Sequence, residues 1–350
     1  MGRVTIRDVA LRAGVAVGTV SHYLNHPDKV SDEKAERIRS AIDALGFVRN
    51  DAGRRLRLGT STTVAYIAPD VSNPYFAAIA EGVEQRASER GLAVYIANSR
   101  RSREREDAYL ELFEQQQVSG MLVASHGPIE DRLARIRSRG TPSVLVGQAA
   151  QSPEQPSLSI DDVMGGRLAA AHLIQLGRRR LAFVGGPFGV RQVADRLTGA
   201  SDAVHADPQA TLEVIDARDR TIRGGTEVGR TLLARPATTR PDAIFAVNDL
   251  LALGIMHVLV AGGVRAPEDV ALIGYDDIEF AETSLIPLSS VRLPHEAFGF
   301  AAVDLLLEEI AGTVEERHLV FDPELVVRAS TVSGQPSGSP RLAASAGTPP

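Results

Sequence analysis

The chain has no cysteine. Disulfides, a thiol nucleophile and zinc–thiolate sites are thereby excluded. Its eight histidines are scattered, without an HExxH-like pair on one helix face, so no metal site is expected. No apolar run approaches the length of a membrane span, and no membrane partner is expected. No charged-then-apolar start resembles a secretory leader, which argues for a cytoplasmic protein and against an exported binder. Catalytic signatures are missing too. The first strand-like run is followed by PDVSNPYF rather than GxGxxG, and there is neither a P-loop nor a GxSxG elbow. An enzyme on a nucleotide-binding sheet is therefore disfavoured, and no cofactor is expected.

What is present divides into two parts. A chain of 350 residues that is 44% hydrophobic can bury a large core and should split into more than one unit. Charge is distributed unevenly. Residues 1–60 hold eleven Lys/Arg against seven Asp/Glu, a balance of +4, while the whole chain is −6 and the remainder therefore −10. A small basic head on a larger acidic body is the asymmetry of a nucleic-acid-binding module joined to something else.

Residues 5–25, TIRDVALRAGVAVGTVSHYLN, read as two short helices with a tight turn between them. Thr5 and Asp8 have capping-box spacing. Ile6, Val9 and Ala10 make one apolar face, and Val20 and Leu24 repeat the spacing on the second helix. Gly14 stands where a left-handed residue must end the first helix. Thr19, Ser21, His22 and Asn25 are left for phosphates and base edges, the pattern of a helix-turn-helix. Short amphipathic helix pairs also occur in proteins that never meet DNA. The following residues favour DNA. SDEKAERIRSAIDALG predicts a third helix, capped by Ser31, ended by Gly46 and striped by Ile38, Ile42 and Leu45. Arg54, Arg55 and Arg57 then surround Leu56 in a linker over 50–60.

From Ser61 onward the rhythm is strand, helix, strand. TTVAYIAPDV, LAVYIAN, MLVAS and PSVLVG alternate with helical runs, and the rhythm restarts at SLSIDD, RLAFVGG, AIFAVND and VALIGYDD. This predicts two doubly wound parallel sheets forming a two-lobed cleft body. The lobes divide at about 61–160 with 291–322, and 161–290 with 323–334. The stretch 335–350 is rich in Pro, Gly, Ser and Ala and is expected to be disordered, without a heptad repeat for tetramerisation.

Ligands of open parallel sheets bind beyond the carboxyl ends of the strands. Polar or aromatic residues just after strands are therefore the candidates: Asn73, Phe76, Gln148, Asp161, Arg196, Asn248, Asp249 and Asp276. Carboxylates and amides suit neighbouring hydroxyls, Phe76 can stack on a sugar or base, and Arg196 offers a planar fork. Asp161 and Asp249 could equally cap the helices that follow them.

These segments, in order, resemble the lactose-repressor (LacI/GalR) family of transcription factors across nearly the whole chain: TIRDVALRAGV, TVSHYLN, RRL, VSNPYF, SIDDVMGGRLAAAHLIQLGRRRLAFVGGP, RLTG, FAVNDLLALG and DVALIGYDDIEFAE. The resemblance implies a helix-turn-helix head over residues 1–49, a body built like a periplasmic sugar-binding protein, and a homodimer on a near-palindromic double-stranded operator. It also implies that Arg196, Asn248, Asp249 and Asp276 contact a small polar effector, a sugar in the first reading and a nucleoside or purine corepressor in the alternative. Thr5, Val17, Gly18 and Tyr23 join the expected DNA contacts.

Several positions depart from the family pattern. Ala16 stands where a capping Ser is usual, a loss of about 1 kcal/mol. Val17 can touch a thymine methyl, but Gly18 has no side chain to read with, which shifts the reading toward His22, Tyr23 and the operator centre. Gly53 replaces a usual Ala in the linker, Gly147-Gln148 replaces an acid or Arg, and a shortened stretch after RLTG predicts a small helix. The expected mechanism is that the linker folds only on DNA, where paired copies of Leu56 wedge into the minor groove.

Overall fold

The computed structural model describes residues 4–47 and 61–333. The expected linker with Arg54, Arg55, Leu56 and Arg57, and the expected tail over 335–350, lie outside the described residues. The chain separates into two compact units, Met1–Ser61 and Thr62–Pro350.

In the first unit, α1 (Ile6–Ala13), α2 (Val17–Asn25) and α3 (Asp32–Leu45) surround a core of Val9, Ala10, Ala13, Val20, Ile38 and Ala41. The Asp8 carboxylate accepts from both the backbone N–H and the hydroxyl of Thr5, at 2.8 and 2.7 Å, and so fixes the start of α1. Gly14 ends α1 at φ 65°, in the left-handed region. α2 begins at Ala16 without a side-chain cap. Ser31 occupies the cap position of α3, but its hydroxyl makes no capping bond. That helix start rests instead on the acids Asp32 and Glu33 in its first turn.

The second unit contains two parallel sheets. The first takes β1 (Thr63–Ala68), β2 (Ala93–Asn98), β3 (Met121–Ala124), β4 (Ser143–Val146), β5 (Ser157–Ile160) and β11 (His318–Phe321), in the order β11-β5-β4-β3-β1-β2. The strand SLSI, which opens the second half of the sequence rhythm, thus closes the first sheet, because β5 pairs in parallel with both β4 and β11. The second sheet takes β6 (Arg180–Gly185), β7 (Thr211–Asp216), β8 (Ala243–Ala246) and β9 (Ala271–Ile273), in the order β7-β6-β8-β9. The central strands β1, β3, β4 and β8 are buried along their whole length, which their apolar runs demand once helices cover both faces.

Connecting helices are α4 (Pro74–Glu89), α5 (Arg103–Gln115), α6 (Glu130–Ser138), α7 (Asp162–Gln175), α8 (Arg191–His205), α9 (Ile222–Leu233), α10 (Asp249–Ala261), α11 (Glu279–Thr283) and α12 (His295–Ala311). The helix through RLTG is α8. It spans 15 residues rather than the short segment expected, because it begins five residues before Arg196. α12 returns to the first lobe and packs against α4. The chain crosses between lobes after β5, again between β10 (Ser290–Arg292) and α12, and again between β11 and β12 (Glu324–Val326). β10 and β12 pair antiparallel, and the Asp277 carboxylate ties them together by accepting from Arg292 at 2.7 Å and Arg328 at 2.5 Å.

Candidate functional site

Each sheet order reverses beside its first strand, between β1 and β3 in one lobe and between β6 and β8 in the other. Loops leave such a reversal in opposite directions and open a crevice at the carboxyl ends of the strands. The two crevices face each other and line a cleft between the lobes.

The first lobe contributes Asp70 and Asn73 after β1, Tyr75 and Phe76 from the first turn of α4, Arg101 after β2, and Ser125 and His126 after β3. Asn73 caps α4 by accepting from Tyr75 N–H at 3.1 Å. Phe76 meets Tyr75 and His126 edge to face, with centroids 4.9 and 5.8 Å apart. Asp70 accepts from Arg101 at 2.6 Å and from Ser72. Arg100 and Arg101 both take left-handed backbone angles, φ 51° and 59°, a strained pair for residues with side chains.

The second lobe contributes Asp162, Gln192, Arg196, Arg220, Asn248 and Asp276. Arg196 is the best-held of these. Its Nε donates to Asp162 at 2.7 Å, its Nη1 donates to the Val247 carbonyl at 2.6 Å, and its guanidinium lies 3.5 Å from the Tyr275 ring centroid. These contacts leave Nη2 for a ligand. Burial opposes its charge, but Asp162, Tyr275 and Asp276 outweigh that and hold the guanidinium above its ordinary pKa. α7 and α8 approach closely enough for this pairing because Gly166 and Gly199 face each other's helices. A Cβ on either would lie about 2 Å from a backbone carbonyl, of Arg196 or of Val163. Asp276 sits at φ 98° and faces Arg196 at 3.7 Å, and burial pushes its carboxyl up to about 7.

The lobes also bond to each other. Gln192 donates to the Gly147 carbonyl at 2.7 Å, Arg191 to the Ala149 carbonyl at 3.0 Å, and Arg220 to His126 Nδ1 at 3.2 Å. Burial, then Arg220 and Arg101, push His126 down to about 3, so it is neutral and accepts through Nδ1.

Five sequence candidates therefore converge on the cleft: Asn73, Phe76, Arg196, Asn248 and Asp276. Asn248 has both ends of its amide engaged, accepting from Leu251 N–H and donating to the Arg220 carbonyl, each at 3.0 Å. Three candidates lie elsewhere. Asp249 is fully buried and is consumed by Ser290 and by Ile278 N–H, at 2.7 and 2.9 Å. Asp161 turns back to cap α7 at Met164 N–H, and its neighbour Asp162 faces the cleft instead. Gln148 lines a separate depression, because Gly147 at φ 84° turns the chain away from the cleft.

Sequence reasoning missed Arg101, His126 and Arg220, which follow β2, β3 and β7. The strand-end rule finds all three once it is applied to those strands as well. Among the described residues, no group of three or more His, Asp or Glu is placed to hold a metal ion, and no helix is long and apolar enough to cross a membrane.

On α2, Val17, Gly18, His22 and Asn25 are exposed, and Thr19 and Ser21 are half-buried. Asn25 donates to the Ser21 carbonyl at 2.8 Å. Tyr23 is half-buried against the head core, and Thr5 is exposed at the start of α1.

Comparison with known proteins matches residues 5–50 to bacterial regulatory proteins, lacI family, and residues 170–331 to the periplasmic binding protein-like domain. The chain is 30% identical to the ribose operon repressor of Escherichia coli (strain K12), over 93% of this chain and 99% of that one. It is 36% identical to the HTH-type transcriptional regulator CelR of Thermobifida fusca, over 94% and 98%. Among solved structures, the transcriptional regulator CelR–cellobiose complex aligns with TM-score 0.69 at 35% identity, covering 94% of this chain and all of that one. The lac repressor dimer bound to operator and the anti-inducer ONPF aligns with TM-score 0.83 at 24% identity, covering 95% and 100%, and shares the fold.

Proposed function

Since the chain belongs to the lacI family of bacterial regulatory proteins, we propose that a sugar-like effector held between its lobes sets how tightly a homodimer grips a near-palindromic operator. The chain is a DNA-binding transcriptional regulator. Its action is binding rather than catalysis, and its place of work is the cytoplasm, where the operator is.

The observation that carries the effector reading is the convergence, at facing strand ends, of a braced arginine fork, Asp276, Asn248 and an aromatic pair. Fork, carboxylate and amide match neighbouring hydroxyls, and Phe76 suits the apolar face of a pyranose. The 35%-identical CelR structure is a cellobiose complex, which supports a sugar over the nucleoside alternative.

In the head, α2 enters the major groove with Val17, Gly18, Thr19, Ser21, His22 and Asn25 toward the DNA, and Thr5 contacts a phosphate. Tyr23 acts at the edge of that surface. Arg54, Arg55, Leu56 and Arg57 serve the operator centre, a role that rests on their sequence pattern alone. Coupling requires that the effector prefer one lobe arrangement.

A mobility-shift titration of the purified chain on a symmetric operator and on a scrambled duplex, with and without a sugar panel, tests this. Preference for the symmetric duplex that changes with one sugar is the expected result. Equal affinity for both duplexes under all conditions refutes it.

A further inference from the structure

We infer that the effector carries an anionic group, carboxylate or phosphate, which seats between Arg220 of the second lobe and Arg101 of the first. This rests on the cleft being the effector site and names the chemistry that site selects.

Asp162 pairs with Arg196 at 2.7 Å, and Asp70 with Arg101 at 2.6 Å. Asp276 lies 3.7 Å from Arg196. Arg220 belongs to no ion pair among the described residues; its guanidinium donates only to His126 Nδ1, at 3.2 Å. It faces the cleft with Arg101 and Arg196, and burial together with these two cations presses its pKa down to about 10. It remains charged at neutral pH; Asp276 and Asp70 act on it from across the cleft, but neither makes a direct ion pair with it among the described residues.

Arg220 is half-buried and still meets water, and a neutral ligand closing the cleft would remove that water without supplying a charge in its place. An anion would replace it with charge-assisted bonds. The neighbours agree. Neutral His126, accepting from Arg220 through Nδ1, keeps Nε2 as an N–H donor, and arginine has only donors. A cluster of donors suits a group that only accepts. Arg101 is carried there by two consecutive left-handed residues, a strain of the kind that gathers at ligand sites. The hydroxyl-binding side, Arg196 with Asp276 and Asn248, is left for the rest of the molecule. The predicted ligand is thus a polyhydroxylated acid or a sugar phosphate.

Isothermal titration calorimetry on the full-length chain at constant ionic strength tests this. The probes are inorganic phosphate, glucose 6-phosphate, glucuronate and glucose, against the unaltered chain, Arg220→Lys and Arg220→Leu. Inorganic phosphate is expected to bind the unaltered chain and Arg220→Lys, and to bind Arg220→Leu at least tenfold more weakly. An anionic sugar is expected to bind at least tenfold tighter than glucose, and whichever of the two does so identifies the source of the charge. Phosphate binding that is absent from the unaltered chain, or unchanged in Arg220→Leu, overturns the inference. So does glucose that equals both anionic sugars. If glucose also shifts operator affinity, the effector reading survives and only the anion is lost; a chain that never prefers a symmetric operator loses the effector reading itself.

Discussion

The Arg196 guanidinium stacks on the Tyr275 ring at 3.5 Å from its centroid while its Nε donates to Asp162 at 2.7 Å. The side chain is held on a face and on an edge at once. Its orientation therefore exists before any ligand arrives, and binding need not supply the entropy of ordering it.

Replacing Arg196 by Leu leaves Asp162 buried without its cation. Stability should fall by about 3–5 kcal/mol, the usual consequence of removing one partner of a buried pair. Arg196→Lys keeps the charge but loses the fork and the stack, so it should unfold closer to the unaltered chain while its effector response weakens at least tenfold. Urea unfolding and effector titration separate the two. Equal stability loss in both variants would show that the pairing with Asp162 does not depend on charge.

Gly199→Ala should destabilise the body by about 1–3 kcal/mol or more, because its Cβ would fall 1.9 Å from the Val163 carbonyl oxygen. The helix-propensity gain of about 1 kcal/mol from replacing glycine cannot offset that clash. Thermal unfolding reads the sign. An unchanged or higher midpoint would mean that α7 and α8 can separate freely.

The pH dependence of stability follows from Asp276. Burial pushes its carboxyl up to about 7, against the pull of Arg196. An unfolded Asp titrates near 4, so between about pH 4 and 7 the folded chain keeps a proton that the unfolded chain has lost. Stability should decline as pH rises through that window and level off above about 7. Asp276→Asn should flatten the decline, leaving a residual slope from Asp162 and Asp249, which burial also raises. Urea midpoints at half-unit pH steps on both proteins make the comparison; identical slopes would remove Asp276 from the account.

Ala16→Ser should stabilise the head by about 1 kcal/mol, since α2 starts without a side-chain cap. A melt monitored by helix circular dichroism on the full chain, resolved for the head, is the check. No gain would indicate that the first amides of α2 are already satisfied.

The fold was largely readable because its signals are periodic. Apolar runs such as TVAYIA and AIFA have the length and flanks of buried strands, and Gly14 and Gly46 mark helix ends by a backbone requirement rather than by contact. The lobe bounds near 160 and over 291–322 put SLSI in the first lobe, where β5 lies, but the strand that flanks it, β11, is about 160 residues away and carries no local signal of the pairing. In the site, strand ends gave Asn248 and Asp276 directly, whereas Arg196 lies inside α8, beyond the loop after β6, and it was the family resemblance that pointed to it. Asp161 and Asp162 could not be told apart, since adjacent carboxylates at a helix start differ only in which way the first turn points them. Asp249 carried the same ambiguity, and Ser290, distant in sequence, resolved it toward structure.

Because α12 and β11 complete the first lobe, and β12 after them completes the second, neither lobe is finished until the last part of the body has been translated. On the ribosome the head is out first, with its own small core closed within about fifty residues, whereas β5 waits for its edge partner until residue 321 has emerged. A prematurely terminated chain would therefore carry a folded head on an unfinished body.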